Sequence, residues 1–217
     1  MKSVPLFPVA IGLSNFGESN HDLNVALIND IFAEYDEDRK GRVGAGLGNW
    51  HSETALELKY ESFAKLRDQI EQEANSYAEH HGYERGIKVK KLWANISEQG
   101  EAFMPHTHGD VSMTGVYYPV HYIDEEGQCY YNYDPKAMLR PGSWNGKDGG
   151  SLVLYNPWYP QRQGLKKSKK PSPFTVDTYY TYPTSGLLVL FPPEIIHMVT
   201  PFKENHRRLS ISYCGDY

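Results

Sequence analysis

The chain has 217 residues, a formal net charge of −5 and 40% hydrophobic residues, enough for one domain with a substantial core or at most two small ones. An acidic balance argues against general nucleic-acid binding, which asks for a basic surface, and no apolar run approaches the ~20 residues needed to span a bilayer. Cys129 and Cys214 stand far apart and outside any CxxC spacing, so a disulfide framework is not expected and a reducing, cytoplasmic setting fits.

The opening segment "MKSVPLFPVAIGLSNFG" has a Lys and an apolar patch, but Pro, Ser and Asn interrupt it and a signal peptide is not supported. Residues 4–13 read as a short strand. "HDLNVALINDIFAEY" places Leu23, Leu27, Ile31 and Tyr35 four residues apart, which gives a helix one apolar stripe. "DEDRKGRVGAGLG" then reads as a loop. Ser52 is positioned to cap a longer helix, "ETALELKYESFAKLRDQIEQEANSYAEHH", whose inward face is Leu56, Phe63, Leu66, Ile70 and Tyr77, with Gly82 as its stop.

From residue 87 the pattern changes to short β-like runs: "KVKKLWANI", "MTGVYYPVHYI", "QCYYNY", "SLVLYNPW", "TYYTYPT", "GLLVLF", "IHMVTPF" and "RRLSISYC". Most of the 17 tyrosines fall here, as suits strands. Helices first and strands afterwards, without βαβ alternation, predict a sandwich or rolled barrel and argue against a doubly wound nucleotide-binding sheet. Residues 124–150 and 158–173 are longer connections, of the kind that carry specificity. The basic run "LKKSKKP" (165–171) in the second reads as a solvated loop.

The chemistry concentrates in "PHTHGDVSMTGVYYPV" (105–120). If this segment is extended, His106, His108 and Asp110 point the same way, because side chains in a strand alternate. Imidazole and carboxylate are the usual ligands of Fe, Mn, Ni or Zn, and two desolvated rings side by side cost energy without such a purpose. The best further ligand is His197 in "FPPEIIHMVTPF", which a rolled sheet could bring alongside. His80 and His81 end a polar helix, and His21, His51, His121 and His206 lack a paired spacing, so these six are read as structural or surface residues. In "HRRLSISYC", Arg208, Ser210 and Ser212 alternate with Leu209, Ile211 and Tyr213. An Arg and two hydroxyls on one strand face suit a bound carboxylate, which guanidinium grips with two parallel hydrogen bonds; a merely solvated polar face is the alternative.

Together these residues resemble the iron(II)- and 2-oxoglutarate-dependent oxygenases, and more narrowly the 2-oxoglutarate-Fe(II) oxygenase family of marine bacteria and phages, which is prolyl-hydroxylase-like. The resemblance runs through "LFPVAIG", "GNWHSE", "LWANISEQGEAFMPHTHGDVSMTGVYYPV", "GGSLVLYNP" and "GLLVLFPPEIIHMVTPF…RRLSISY". It implies a mainly β fold: a double-stranded β-helix (jelly-roll), 87–217, with the strand and two supporting helices of 1–86 packed on its sheet, as one domain spanning 1–217. It implies Fe(II), 2-oxoglutarate and O2 as cofactors, with decarboxylation to succinate and hydroxylation of a C–H bond. His106, His108 and His197 become the metal ligands, and Arg208, Ser210 and Tyr118 hold the co-substrate's far carboxylate, with Tyr117 facing the other way.

Relatives show a Gly and then His-x-Asp; Gly100 lies six residues before His106, so His108 replaces the aspartate. The alternative register, His108-Gly-Asp110, makes Asp110 the carboxylate ligand. Peptidyl proline, a free amino acid or a small metabolite is the expected substrate; Trp158, Tyr159, Tyr179 and Tyr180 are read as strand-packing residues, with an entrance lining as the alternative; and a homodimer is left open. Two rival readings remain: a cupin-like metalloenzyme that does not use 2-oxoglutarate, and a non-catalytic jelly-roll binding or virion module.

Overall fold

The computed structural model describes residues 9–42, 44–134, 140–141, 149–158, 176–202 and 205–217; the run 165–171, Tyr159 and the start of the expected 4–13 strand lie outside them. The chain begins with β1 (Gly12–Asn15) and α1 (His21–Glu37), passes through β2 (Gly46–Leu47) and β3 (Trp50–His51), and reaches α2 (Glu61–His80). It continues through β4 (Lys88–Ser97), β5 (Ala102–His106), β6 (Met113–Tyr118), β7 (Tyr122–Ile123) and β8 (Cys129–Tyr130). Then come β9 (Arg140–Pro141), β10 (Leu152–Tyr155), β11 (Thr178–Thr181), β12 (Leu187–Phe191), β13 (His197–Val199) and β14 (Arg208–Asp216).

Both helices form where the apolar stripes predict them. Leu27 and Ile31 of α1 and Phe63, Leu66 and Ile70 of α2 are fully buried, while Leu23, Tyr35 and Tyr77 pack half-buried at the margin. Past the end of α2 the Tyr83 N–H donates to the Ala78 carbonyl and the Gly82 N–H to that of Glu79. With Gly82 at φ 81°, this left-handed cap satisfies carbonyls the helix leaves open. The start of this helix differs from expectation. Ser52 caps nothing: its hydroxyl donates to the Glu53 carbonyl and accepts from the Ala94 N–H, fastening β3 to β4. Ala55, at φ 68°, opens a separate 3-10 turn over Leu56–Leu58 before α2 begins.

The strands form two facing antiparallel sheets, ordered β1-β12-β6-β14-β4-β3 and β2-β5-β13-β10-β11-β9, and β7 pairs with β8 in a separate two-stranded sheet. The expected strand near the N-terminus falls at β1 because its pairing with β12 runs from Gly12↔Leu190 to Asn15↔Leu187. β5 and the two-residue strands β2, β3 and β9 are additions to the expected set.

The first sheet packs apolar side chains on both faces, for two different reasons. Its outer face (Leu92, Ala94, Ile96, Tyr117, Leu209, Ile211 and Tyr213) joins α1 and α2 in one core. Its inner face (Val116, Tyr118, Leu187, Val189 and Phe191) packs on Leu152, Leu154 and Val199 of the second sheet. This is the jelly-roll with two supporting helices that the family resemblance implies, and it agrees with the rolled β fold expected from the order of elements. No helix among the described residues is long and apolar enough to cross a membrane.

Candidate metal and co-substrate site

The sheets part toward one end, leaving a cavity of about 320 Å³. Its first feature is a cluster of three imidazoles. His106 ends β5 and His197 begins β13, and the two are direct partners in the register. His108 lies two residues beyond the strand, tethered by its N–H to the Pro193 carbonyl at 2.9 Å. The ring centroids are 4.2 Å apart for His106–His197, 5.1 Å for His108–His197 and 5.3 Å for His106–His108. One ring nitrogen from each lies within 4.8 Å of the others.

The other ring nitrogens are already engaged. His106 Nδ1 lies 2.7 Å from the Met104 carbonyl and His197 Nδ1 lies 2.9 Å from that of Ile195. Carbonyls only accept, so each Nδ1 carries a proton, and Nε2 is the nitrogen turned to the cluster as the one that can ligate. Burial, and then the positive charge of neighbouring rings, pushes His197 down to about 3. Burial, His106 and Lys91 together push His108 down to about 4. Both rings are therefore neutral near pH 7, the state in which imidazole binds a metal. The donor set fits a divalent transition metal.

Asp110 is not in this cluster. The strand stops at His106, so the extended reading of 106–110 fails past its first residue: Asp110 has φ 52° and an exposed side chain. His108 reaches the cluster from an irregular loop, not from strand alternation.

The second feature lies along β14. Arg208, Ser210, Ser212 and Cys214 face the cavity, while Leu209, Ile211 and Tyr213 enter the helix-side core. Arg208 is 1% exposed. Its Nη1 donates to Ser210 Oγ (3.1 Å) and its Nη2 to Tyr118 Oη (3.2 Å), and its Cζ lies 5.1 Å from the Tyr118 ring centroid. Arg208 Nε has no partner, and among the described residues no carboxylate forms an ion pair with it. A buried guanidinium without a counter-ion is costly, and a bound carboxylate removes that cost. Burial raises the Tyr118 phenol, with Arg208 opposing, so the phenol stays protonated and can donate. Tyr117 faces the other way, with Oη donating to Asn24 (2.6 Å).

Several residues here do not read as part of a site in the sequence, where His51 reads as structural or surface. Cys214 Sγ lies 3.6 Å from His108 Nδ1, and burial raises its thiol so that it stays neutral. It continues the alternation Arg208-x-Ser210-x-Ser212-x-Cys214, which could have found it. Lys91, Trp93 and Asn95 alternate into the cavity from β4, and His51 lines it beside Trp93. Trp158, Tyr179 and Tyr180 do not line the cavity, so the entrance role, the alternative to strand packing, is not seen for these three.

The family described as "Putative 2OG-Fe(II) oxygenase" matches residues 91–213, more than half of the chain, a span that includes His106, His108, His197, Arg208, Ser210 and Tyr118. No curated protein matches the sequence. Solved structures share the fold. A prolyl-4-hydroxylase from Pseudomonas putida is 15% identical with a TM-score of 0.59, over 96% of this chain and 94% of its own. A prolyl hydroxylase from Trichoplax adhaerens, in complex with a hypoxia-inducible-factor peptide fragment, is 16% identical with a TM-score of 0.58, over 95% and 83%. The epimerase SnoN of nogalamycin biosynthesis, in complex with Fe3+ and α-ketoglutarate, is 10% identical with a TM-score of 0.62, over 96% and 79%. The chain belongs to the 2-oxoglutarate-Fe(II) oxygenase family, whose cofactors are Fe(II), 2-oxoglutarate and dioxygen.

Proposed function

We propose that this protein is a dioxygenase that hydroxylates a C–H bond of a small molecule or peptide while 2-oxoglutarate is decarboxylated to succinate. The observation that carries the reading is the pairing, in one cavity, of three clustered imidazoles with a buried guanidinium that has no carboxylate partner among the described residues. His106, His108 and His197 would hold the iron through Nε2 of His106 and His197 and a ring nitrogen of His108. Arg208, with Ser210 and Tyr118 beside it, would hold the far carboxylate of 2-oxoglutarate. When bound, the iron supplies the activation of dioxygen that couples oxidative decarboxylation to attack on the substrate.

The chain's own work is placement. The carbonyls of Met104 and Ile195 fix the ring orientations of His106 and His197. Tyr118 and Ser210 hold the guanidinium against the strand, and the apolar inner wall of Val116, Leu152, Phe191 and Val199 limits water. The likeness to prolyl hydroxylases supports peptidyl proline as one substrate, beside amino acids and small metabolites.

A donor set without a carboxylate favours one second reading, a cupin-like metalloenzyme that does not use 2-oxoglutarate. Anaerobic titration of 2-oxoglutarate into the Fe(II)-loaded protein separates the two. The oxygenase gives the weak visible charge-transfer band of the chelated 2-oxo acid; stoichiometric iron without that band selects the second reading. His197→Ala is expected to lose both iron and band, and full retention of both would show the ligands to be misassigned.

A further inference from the structure

Opposite the Arg208 end of the cavity stands a second cation that the reading above leaves unused. β4 alternates as β14 does: Leu92, Ala94 and Ile96 enter the helix-side core, while Lys91, Trp93 and Asn95 face the cavity. The register places Lys91 beside Cys214, Trp93 beside Ser212 and Asn95 beside Ser210. Arg208 and Cys214 are six residues apart on β14, roughly 20 Å at about 3.3 Å per residue. Lys91 therefore stands at the far end of the paired strands from Arg208.

The surroundings of Lys91 describe what could. Its side chain is exposed where it lines the cavity, and it forms no ion pair among the described residues, where Lys59, Lys65 and Lys88 each have at least one. No Asp or Glu lines the described cavity, so nothing there offsets a cationic guest, and the two cations make the space attractive to anions. Next to Lys91 is a flat wall: Trp93 and His51 stack with centroids 5.4 Å apart at 15°, and Trp93 stands 6.3 Å from His108. Deeper in, Asn95 Nδ2 donates to Ser212 Oγ at 3.1 Å, while Asn95 Oδ1 is buried with no partner. A buried amide oxygen left open is costly unless something fills it.

We propose that Lys91, Trp93, His51 and Asn95 form the primary-substrate subsite, and that it takes a small carboxylate-bearing molecule with an apolar body. The carboxylate pairs with Lys91, the body lies on the Trp93–His51 wall beside the histidine cluster, and a polar group of the substrate meets the open end of Asn95. The proposal rests on the oxygenase reading for its reaction but not for its binding chemistry. It separates the two anionic groups by their cations, Arg208 for the co-substrate and Lys91 for the substrate.

The test uses the Fe(II)- and 2-oxoglutarate-treated protein under anaerobic conditions. N-acetyl amino acids with apolar side chains are titrated calorimetrically against their neutral amide twins. The expected result is binding about tenfold tighter for at least one acid than for its amide, the scale of one charge-assisted hydrogen bond. Lys91→Gln is expected to erase that preference and Lys91→Arg to keep it; the exposed position makes both variants foldable. Equal binding of acid and amide throughout the panel, absence of binding included, overturns the proposal, as does a preference that survives Lys91→Gln. The charge-transfer band on the same sample reports separately on the reading beneath. A band without an acid preference sinks this subsite alone, and a Lys91-dependent preference without a band sinks the oxygenase reading alone.

Discussion

Arg208 is the largest fully buried side chain among the described residues, and its fork makes it specific. Its two Nη groups are oriented by Ser210 and Tyr118, and Tyr118 also stacks beneath it. Lysine keeps the charge but not the planar pair of donors. In anaerobic titration, Arg208→Met is expected to weaken 2-oxoglutarate binding roughly 10- to 100-fold, the scale of one or two lost charge-assisted hydrogen bonds; Arg208→Lys should fall between. Unchanged affinity in both would remove Arg208 from the co-substrate site.

The histidines carry a pH dependence whose sign is fixed. His108 at about 4 and His197 at about 3 lie below the ordinary value of 6.5, so between 6.5 and those values the unfolded chain holds more protons than the folded one. Stability then rises with pH through that window. The metal-free protein should lose melting temperature as pH falls from about 6.5 toward 4, and His108→Asn and His197→Asn should each flatten the decline. Parallel curves for wild type and both variants would contradict it.

At the scale of elements, the central strands set the tolerances. β6 lies between β12 and β14, and a Cβ added at Gly115 would stand 2.0 Å from the Val189 carbonyl oxygen and 2.7 Å from the Tyr213 ring. Backbone oxygen cannot swing aside as a side chain can. Gly115→Ala is therefore expected to cost about 1–3 kcal/mol, the range of core overpacking, seen as a lower denaturant midpoint; an unchanged midpoint would mean that β6 can shift away from β12. Phe63, fully buried where α2 meets the sheet, tests the helix side. Phe63→Ala should cost about 3–5 kcal/mol while the variant that remains folded still binds iron, since Phe63 belongs to the outer core and lines no part of the cavity.

Across the whole molecule the site is a joint between distant segments. β5 supplies His106, the loop after it His108, and β13 His197, while β14 brings Arg208 from the facing sheet. A metal held by residues that only the folded chain gathers stabilises that chain by mass action, about 2.7 kcal/mol at a hundred times the dissociation constant. Anaerobic Fe(II) should thus raise the melting temperature of the wild type, and chelation should reverse it. His197→Ala should show no rise; a full rise in that variant would place the metal elsewhere.

Periodicity alone was enough for much of this. The stripes Leu27–Ile31 and Phe63–Leu66–Ile70 and the alternation of Arg208, Ser210 and Ser212 are local patterns, and local patterns survive into the fold because each reports which face is dry. The family's motif blocks carried the histidine pair and its distant third member in the same way.

Tertiary structure decided what depends on neighbours far away in sequence. β5, β2 and β3 are too short or too polar to announce themselves, and they exist because pairing satisfies their backbone. Asp110 turned outward because the strand ends four residues before it and its backbone adopts a left-handed conformation. Ser52 became a bridge to Ala94 because β4 passes beside it. Lys91, Trp93 and Asn95 read as ordinary strand residues until β14 and the histidines were set against them. A strand's own sequence states that two faces differ, but only the sheet packed opposite determines which face becomes a wall and which a cavity.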